Sequence, residues 1–237
     1  MTSAVEPSNK TPFQALLEPN IRLKQTKKAI RKWLRSTRNS EQILVLGDNT
    51  GWADRIARHF PGPILEGRLK IIDVDKPSLI TVEKGKGSAE AITLLTMLKV
   101  VGAPNDSFVA KINARYFCNN WKFLSDRIEE KSDFAAWPSY HLDSIDSRFF
   151  VCKAGLLSQI LPNVVAETDD ISGKYAEMLY AKYSINIPSV KFQRFDYPPA
   201  IEGYSGTSGK KISGLGEYRT VSILVRLRLK LYKICKN

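Results

Sequence analysis

Residues 83–116 read EKGKGSAEAITLLTMLKVVGAPNDSFVAKINARY. They begin with a glycine-rich loop, continue as an apolar segment with helical spacing, and end in a short strand followed by cationic and aromatic residues. The backbone N–H groups of such a loop and the positive end of a helix dipole both attract anions. The stretch therefore predicts a loop, a helix and a strand arranged around an anionic ligand such as a nucleotide diphosphate.

Short apolar runs and amphipathic segments alternate through the rest of the chain. We predict strands at 42–46, 64–72, 79–82, 108–112, 134–137, 149–153 and 190–195. We predict helices at 20–34, 52–59, 88–101, 119–130, 154–161, 173–183 and 217–236, and a disordered lead at 1–12. This alternation is typical of an α/β fold. We expect a mixed, mostly parallel sheet flanked by helices, followed by a basic C-terminal amphipathic helix.

The net charge of +12 is concentrated at the two ends of the chain. Residues 1–40 hold nine Lys and Arg against two Glu, and residues 208–237 hold eight against one, so each end carries +7. Residues 41–207 carry −2. We therefore predict a nearly neutral α/β body at 41–207, with a basic lead and helix before it and a basic loop and helix after it. Basic ends favour an anionic partner, either lipid or nucleic acid.

Other features of the composition exclude several classes of protein. No run approaches the roughly 20 apolar residues of a membrane-spanning helix, and residues 1–13 lack the pattern of a signal peptide. The three cysteines are odd in number and lack metal-site spacing, which fits a reducing cytoplasmic setting. We expect a cytoplasmic protein whose segment 217–236 suits the surface of an anionic bilayer, although a helix packed on the domain explains that segment equally well.

Six residues of the opening stretch are candidates for holding a diphosphate: Lys84, Gly85, Lys86, Gly87, Lys111 and Arg115. The first four form the loop at the predicted start of a helix, and the last two follow the next strand. Ligands of open α/β sheets lie beyond the carboxyl ends of the strands. We therefore expect these cations to meet at one edge of the sheet, while a solvated basic turn is the alternative for any one lysine.

Carboxylates are candidates for contacts with a sugar. Glu90 falls in the first turn of the predicted helix, where the dipole favours it, and it can accept a hydrogen bond from a ribose or sugar hydroxyl. Asp143 and Asp146 lie three residues apart, so they can share a divalent cation or contact a sugar, with His141 beside them as an acid or base. A surface turn in which Asp146 balances Arg148 explains the pattern as well.

Asp170 and Glu177 are candidates for a general base that deprotonates an acceptor hydroxyl. They are seven positions apart, so they share one helix face if the helix begins near Asp170. Helix capping is the competing interpretation for Asp170. Glu177 is harder to explain by structure alone, because it lies among aromatic and apolar residues such as Tyr175 and Met178.

Several motifs, taken in order, resemble those of small bacterial glycosyltransferases of cell-surface polysaccharide synthesis. The matching segments are Asp48-Asn49-Thr50-Gly51, the loop 84–90, and residues 111–116, 146–150, 175–177 and 203–206. Together they span roughly residues 42–210.

This resemblance implies a GT-A-like fold, a nucleotide-sugar donor and transfer to a glycan or lipid-linked acceptor. We expect Asp48 and Asn49 at the nucleotide together with the cations, and Glu177 or Asp170 as the base if the reaction inverts. Asp146 would contact the donor sugar or a metal. A convincing Asp-x-Asp metal motif is missing, so the need for a divalent metal stays open.

Two other functions also fit parts of the sequence. The +7 ends suit a nucleic-acid-binding protein, although aromatic residues do not interleave with the basic clusters as a stacking surface requires. The turn at 47–51 suits another nucleotide-dependent transferase, such as a methyltransferase.

Overall fold

A computed structural model of the chain describes residues 1–12 and 15–213. The predicted helix at 217–236 lies outside these residues. The helices are α1 (Pro19–Ser36), α2 (Ala53–Ala57), α3 (Pro61–Leu65), α4 (Leu79–Lys84), α5 (Lys86–Val101), α6 (Trp121–Ser125), α7 (Ala154–Glu167) and α8 (Ala176–Lys182). The strands are β1 (Thr2–Ser3), β2 (Leu44–Asp48), β3 (Leu69–Asp73), β4 (Phe108–Ile112), β5 (Tyr116–Cys118), β6 (Phe134–Ala136), β7 (Phe149–Lys153), β8 (Phe192–Arg194), β9 (Ile201–Tyr204) and β10 (Lys211–Ser213).

Seven strands follow one another in the order β3-β2-β1-β4-β7-β6-β8. The first three are parallel. A parallel bridge between Thr2 and Asn113, with the Ala114 N–H donating to the Thr2 carbonyl at 2.8 Å, joins β1 to the end of β4. Both β4 and β6 are antiparallel to β7, and β8 is parallel to β6. Within this described sheet only β7 runs against the rest, which confirms the mixed, mostly parallel α/β fold.

A smaller antiparallel sheet, in the order β5-β9-β10, lies next to the main sheet. Its strand β5 begins four residues after β4 ends, so the two sheets meet at residues 113–115. The loop 205–210 between β9 and β10 is thereby brought to the carboxyl end of β4.

Apolar side chains pack on both faces of the main sheet. On one face α1 buries Ile30 and Trp33 against the sheet, and on the other α5, α7 and α8 bury residues such as Leu157. Phe149 and Phe150 of β7 are each 0% exposed and belong to opposite clusters, because successive strand residues point to opposite faces. No helix among residues 1–12 and 15–213 is long and apolar enough to cross a bilayer.

The prediction of a disordered lead at 1–12 is wrong. Thr2 and Ser3 form β1, between β2 and the end of β4, and Val5 is 1% exposed. The strand is too short to show the alternation of apolar and polar residues by which strands are recognised. Its conformation is determined by hydrogen bonds to neighbouring strands, such as the Gly47 N–H donating to the Met1 carbonyl at 3.0 Å.

Some predicted elements also differ in type or length. Residues 79–82 lie in helix α4, where the Ser78 hydroxyl accepts from the Thr81 N–H at 3.3 Å as an N-cap, and not in a strand. Helix α3 replaces the first part of the strand predicted at 64–72. The helix predicted at 119–130 shortens to α6. Short apolar runs do not by themselves distinguish a strand from a helix.

Candidate functional site

A cavity of about 1120 Å³ lies at the carboxyl ends of β1, β2 and β4. This is the edge at which open α/β sheets bind ligands. Further parts of its wall come from the start of α5, the start of α8 and the loop 205–207. Eight of the candidate residues line it: Asn49, Lys86, Gly87, Glu90, Arg115, Asp143, Asp170 and Glu177.

The glycines of the 84–88 loop permit close packing at the start of α5. Gly85 has φ +131°, and a Cβ there would lie 2.3 Å from the Asp170 carboxyl carbon. A Cβ on Gly87 would lie 2.6 Å from that of Ala176. Since any larger residue would push these segments apart, the two glycines let α5 begin directly against the 168–176 segment. Their visible role is to shape the cavity wall.

The two lysines of this loop point to different places. The Lys86 ammonium lines the cavity and donates to the Thr207 hydroxyl at 2.5 Å, linking the start of α5 to the β9–β10 loop. The Lys84 ammonium donates to the Ala166 carbonyl at 3.3 Å and is not part of the cavity lining. Only Lys86 of this pair is therefore placed to meet a ligand in the cavity.

Lys111 lies behind the wall of the cavity and holds Glu90 in place. Its side chain is inaccessible to solvent, and its ammonium lies 3.0 Å from Glu90 Oε1 and 2.5 Å from the Ser147 carbonyl. Glu90 Oε1 also accepts from the Thr2 hydroxyl and the Asn113 amide, each at 2.5 Å. Three donors therefore converge on one oxygen of a carboxylate that lines the cavity. The predicted direct contact of Lys111 with a diphosphate does not match this placement.

Backbone carbonyls hold two arginines of the cavity wall, Arg115 and Arg22. Arg115, which the sequence nominated, donates to the Tyr204 carbonyl at 3.1 Å, and burial lowers the pKa of its guanidinium. Arg22, which sequence reasoning missed, is 3% exposed and donates to the carbonyls of Ala4 at 2.7 Å and Leu16 at 2.8 Å. Burial lowers the Arg22 pKa to about 9, so the group stays charged at neutral pH.

The sequence does contain a signal for Arg22. Arg22 stands at helical spacing from Thr26, Ala29, Ile30 and Trp33, which form the buried face of α1. A cation on the buried face of an amphipathic helix needs a partner or a function.

Asp48 and Asn49 build the turn after β2 in different ways. The Asp48 carboxylate is 0% exposed, and its Oδ1 accepts from the Thr50 N–H, the Thr50 hydroxyl and the Trp52 N–H at 2.8 to 3.0 Å. The Thr50 hydroxyl accepts in turn from the Val5 N–H at 3.1 Å, which ties this turn to β1. Asn49 lines the cavity and donates to the Thr93 hydroxyl at 3.0 Å. Asp48 thus supports the wall from behind.

Glu177 is a carboxylate of the cavity wall in the first turn of α8. One of its oxygens accepts from the Ser147 hydroxyl at 2.8 Å. Since Ser147 also offers its carbonyl to Lys111, the segment before β7 connects Glu177 with the Glu90 network. A carboxylate held by a hydroxyl donor at a cavity wall is placed to accept a proton.

Asp170 lies in a turn before α8, so the predicted shared helix face with Glu177 is wrong. α8 begins only at Ala176, because residues 169–174 form a turn closed by the bridge between Asp169 and Lys174. The Asp170 carboxylate instead accepts the Lys86 N–H at the start of α5. Burial raises its pKa above the usual 3.8, and Glu177 adds to this rise while Lys86 opposes it.

Asp146 does not fit the metal ligand that the sequence allowed. Its two oxygens accept from the Arg148 guanidinium at 2.8 and 2.7 Å, and Arg148, not Asp146, lines the cavity. A divalent ion at this carboxylate would have to displace the guanidinium. Among residues 1–12 and 15–213, no three His, Cys, Asp or Glu side chains come together as a metal site needs.

Two solved structures with similar chain folds put this architecture in context. The galactosyltransferase LgtC, solved with donor and acceptor sugar analogues, matches with a TM-score of 0.51 and 10% identity over 86% of this chain and 92% of that one. HddC from Yersinia pseudotuberculosis matches with a TM-score of 0.48 and 10% identity over 85% and 92%. No protein-family model and no curated protein matches the sequence. The likeness to LgtC shows a shared fold and confirms the GT-A-like α/β architecture.

Proposed function

We propose that this protein is a glycosyltransferase that moves a sugar from a nucleotide-sugar donor to a glycan or lipid-linked acceptor. One observation carries the proposal: cations and anchored carboxylates line the same cavity at the carboxyl edge of the sheet. Lys86, Arg22 and Arg115 are among the cations of its wall, and Glu90 and Glu177 are among its carboxylates. A nucleotide diphosphate and a sugar need these two kinds of contact side by side. The shared fold with LgtC supports the same function.

The diphosphate would lie against Lys86, Arg115 and the backbone at the start of α5. As the bond between the sugar and the diphosphate breaks, negative charge builds on the leaving phosphate, and fixed cations in a partly buried site stabilise that charge. Lys86 also contacts Thr207. Binding of the diphosphate to Lys86 would therefore also affect the position of the β9–β10 loop.

Glu90 would position the donor. Its Oε1 is saturated by three donors, which holds the carboxylate rigidly and leaves Oε2 for a ribose or sugar hydroxyl. Arg148, held by Asp146, adds a further donor on the same wall.

Glu177 would act as the base in an inverting reaction. The acceptor oxygen attacks the anomeric carbon, the bond from that carbon to the diphosphate oxygen breaks, and the electron pair leaves with the nucleoside diphosphate. The acceptor proton passes to the Glu177 carboxylate. Asp170 serves this role less well, because it already caps α5.

We also propose where in the cell the enzyme acts. We place the enzyme at the cytoplasmic face of a membrane in cell-surface polysaccharide synthesis, with the basic segment 208–237 contacting anionic lipid.

The first test is binding of nucleotide sugars to the full chain, measured by calorimetry with uridine, guanosine and thymidine diphosphate sugars. A donor that binds is then used in hydrolysis and transfer assays with Glu177→Gln. Loss of turnover by at least about 100-fold, with donor affinity retained, supports a proton-accepting role. Unchanged turnover in a folded variant would remove Glu177 from the mechanism, and no binding of any nucleotide sugar would overturn the proposed function.

A further inference from the structure

A second, smaller pocket of about 310 Å³ adjoins the main cavity. It lies between α1, the end of β5 and the β9–β10 hairpin. Arg115 and Ile212 line both spaces, so the two pockets share a wall. A volume of this size suits one sugar unit.

The small pocket carries an excess of positive charge. Four cations and one carboxylate line it: Lys28, Lys32, Arg115, Lys211 and Glu202. The carboxylate is already satisfied, since one oxygen pairs with Lys32 and the other accepts from the Asn119 amide at 3.2 Å. Lys28 and Lys211 form no ion pair with any carboxylate of the described residues. The pocket is therefore prepared for a negatively charged group.

The spacing of Lys28 and Lys32 further favours an anion in this pocket, because the two lysines lie one helical turn apart on α1. Like charges at this spacing repel each other and destabilise a helix by a few tenths of a kcal/mol, roughly 0.2 to 0.5. Glu202 forms an ion pair with Lys32 and interacts with Lys28 at longer range, so one carboxylate faces two cations. A bound anion would relieve the remainder.

Uncharged groups of the same pocket suit the rest of a sugar. Gln25 lines the pocket, and its side-chain oxygen is buried and has no hydrogen-bond partner among the described residues. A buried acceptor without a partner is rare, and a small shift of this side chain would let it accept from a water or from a ligand hydroxyl. Phe117 and Tyr204 add apolar surface to the wall.

We propose that this pocket binds an acidic unit of the acceptor saccharide, through a carboxylate or phosphate held by Lys28 and Lys211. A hydroxyl of the neighbouring unit would then reach past Arg115 into the main cavity. The identification of the ligand as an acceptor rests on the proposed function. The pocket and its positive charge do not depend on that function.

The experiment is an NMR titration of the full chain with three probes: glucuronic acid, glucose 1-phosphate and glucose. We expect at least one acidic probe to bind about tenfold more tightly than glucose. The affinity of that probe should fall as salt is added. The uronate and phosphate arms identify which acid the pocket accepts. Equal binding of all three probes, or no binding of either acid, would overturn the proposal.

Variants locate the binding. The double variant Lys28→Gln and Lys211→Gln is expected to bind the acidic probe about fivefold to tenfold more weakly than the unmodified chain. Lys24→Gln is the matched control, because Lys24 is an exposed lysine of α1 that lines neither pocket. An unchanged affinity in the double variant would place the acid elsewhere and refute the assignment.

Uridine diphosphate binding separates this inference from the proposed function. The double variant should bind uridine diphosphate as the unmodified chain does, because neither lysine lines the main cavity. If no nucleoside diphosphate or nucleotide sugar binds while the acidic probe still depends on Lys28 and Lys211, the glycosyltransferase proposal fails and the anion pocket survives.

Discussion

The Lys111 ammonium lies 3.0 Å from the Glu90 carboxylate, with the lysine side chain 0% exposed and the glutamate side chain 17% exposed. The pair thus has one member in the interior and one at the cavity wall. Lys111 fixes the orientation of Glu90 from behind, and Thr2 and Asn113 complete the hold. The position of a site carboxylate is therefore coupled to the folding of β1 and β4.

Breaking this pair should destabilise the fold. Glu90→Gln leaves the buried ammonium without its counter-charge, and Lys111→Met leaves the carboxylate with only neutral donors. We expect each variant to lower the free energy of unfolding by about 2 to 4 kcal/mol. The double variant should lose clearly less unfolding free energy than the sum of the losses in the two single variants, as measured by urea denaturation. Strict additivity would show that the two residues do not interact.

The loop glycines should be intolerant of alanine. Gly85→Ala places a methyl group within 2.3 Å of Asp170 at a φ that alanine rarely adopts, and Gly87→Ala places one 2.6 Å from Ala176. We expect each to lower the free energy of unfolding by about 1 to 3 kcal/mol. Gly62→Ala in α3 is the control, since its nearest neighbour would lie at 3.9 Å. Equal thermal stability of all three variants would contradict the packing role.

The two lysines of the loop should differ in ligand binding. Lys86→Gln removes a cation from the cavity wall, so uridine diphosphate should bind about tenfold more weakly in calorimetry. Lys84→Gln is the matched variant in the same loop, and it should change the affinity little because its ammonium contacts Ala166 outside the cavity. A similar loss in both variants would indicate a general field effect, not a contact.

Asp170 should make stability depend on pH in a defined direction. Burial raises its folded pKa above 3.8, so its contribution to stability is full below about pH 4 and is lost as the pH rises through the folded pKa. Asp170→Asn keeps an acceptor for the Lys86 N–H without this loss. The melting temperature of this variant, relative to that of the unmodified chain, should therefore increase as the pH rises from 4 to 8.

A second Asp170 variant separates charge from capping. Asp170→Ala removes the acceptor at the start of α5 and should cost about 1 kcal/mol relative to Asp170→Asn. A difference between the asparagine variant and the unmodified chain that stays constant with pH would contradict the raised pKa.

The buried cysteines should be unreactive in the folded protein. Burial raises the pKa of Cys118 to about 12 and that of Cys152 still further, so neither forms a thiolate at neutral pH. Peptide mapping after iodoacetamide treatment should find both unmodified at pH 7.5 and both modified after denaturation in guanidinium chloride. Native labelling of Cys152 would indicate that β7 opens locally.

Several parts of this protein follow from local patterns of residues. The apolar spacing of 88–101 and the continuous apolar run at 149–152 predict α5 and β7, because side chains three or four apart share a helix face and a strand covered on both faces is apolar throughout. The sequence also nominated Lys86, Glu90, Arg115 and Glu177, since polar groups after strands and at helix starts gather at one edge of an α/β sheet.

Which residues form the cavity wall and which support it from behind depends on long-range contacts of the folded chain. Thr2 and Ser3 become a central strand, and Arg22 reaches the cavity, through hydrogen bonds to residues far away in the chain. Lys111 turns inward to Glu90, and Asp170 caps a helix about 80 residues before it. These contacts join segments distant in sequence, and the direction of a charged side chain depends on which partners the folded chain brings near. No local pattern contains that information.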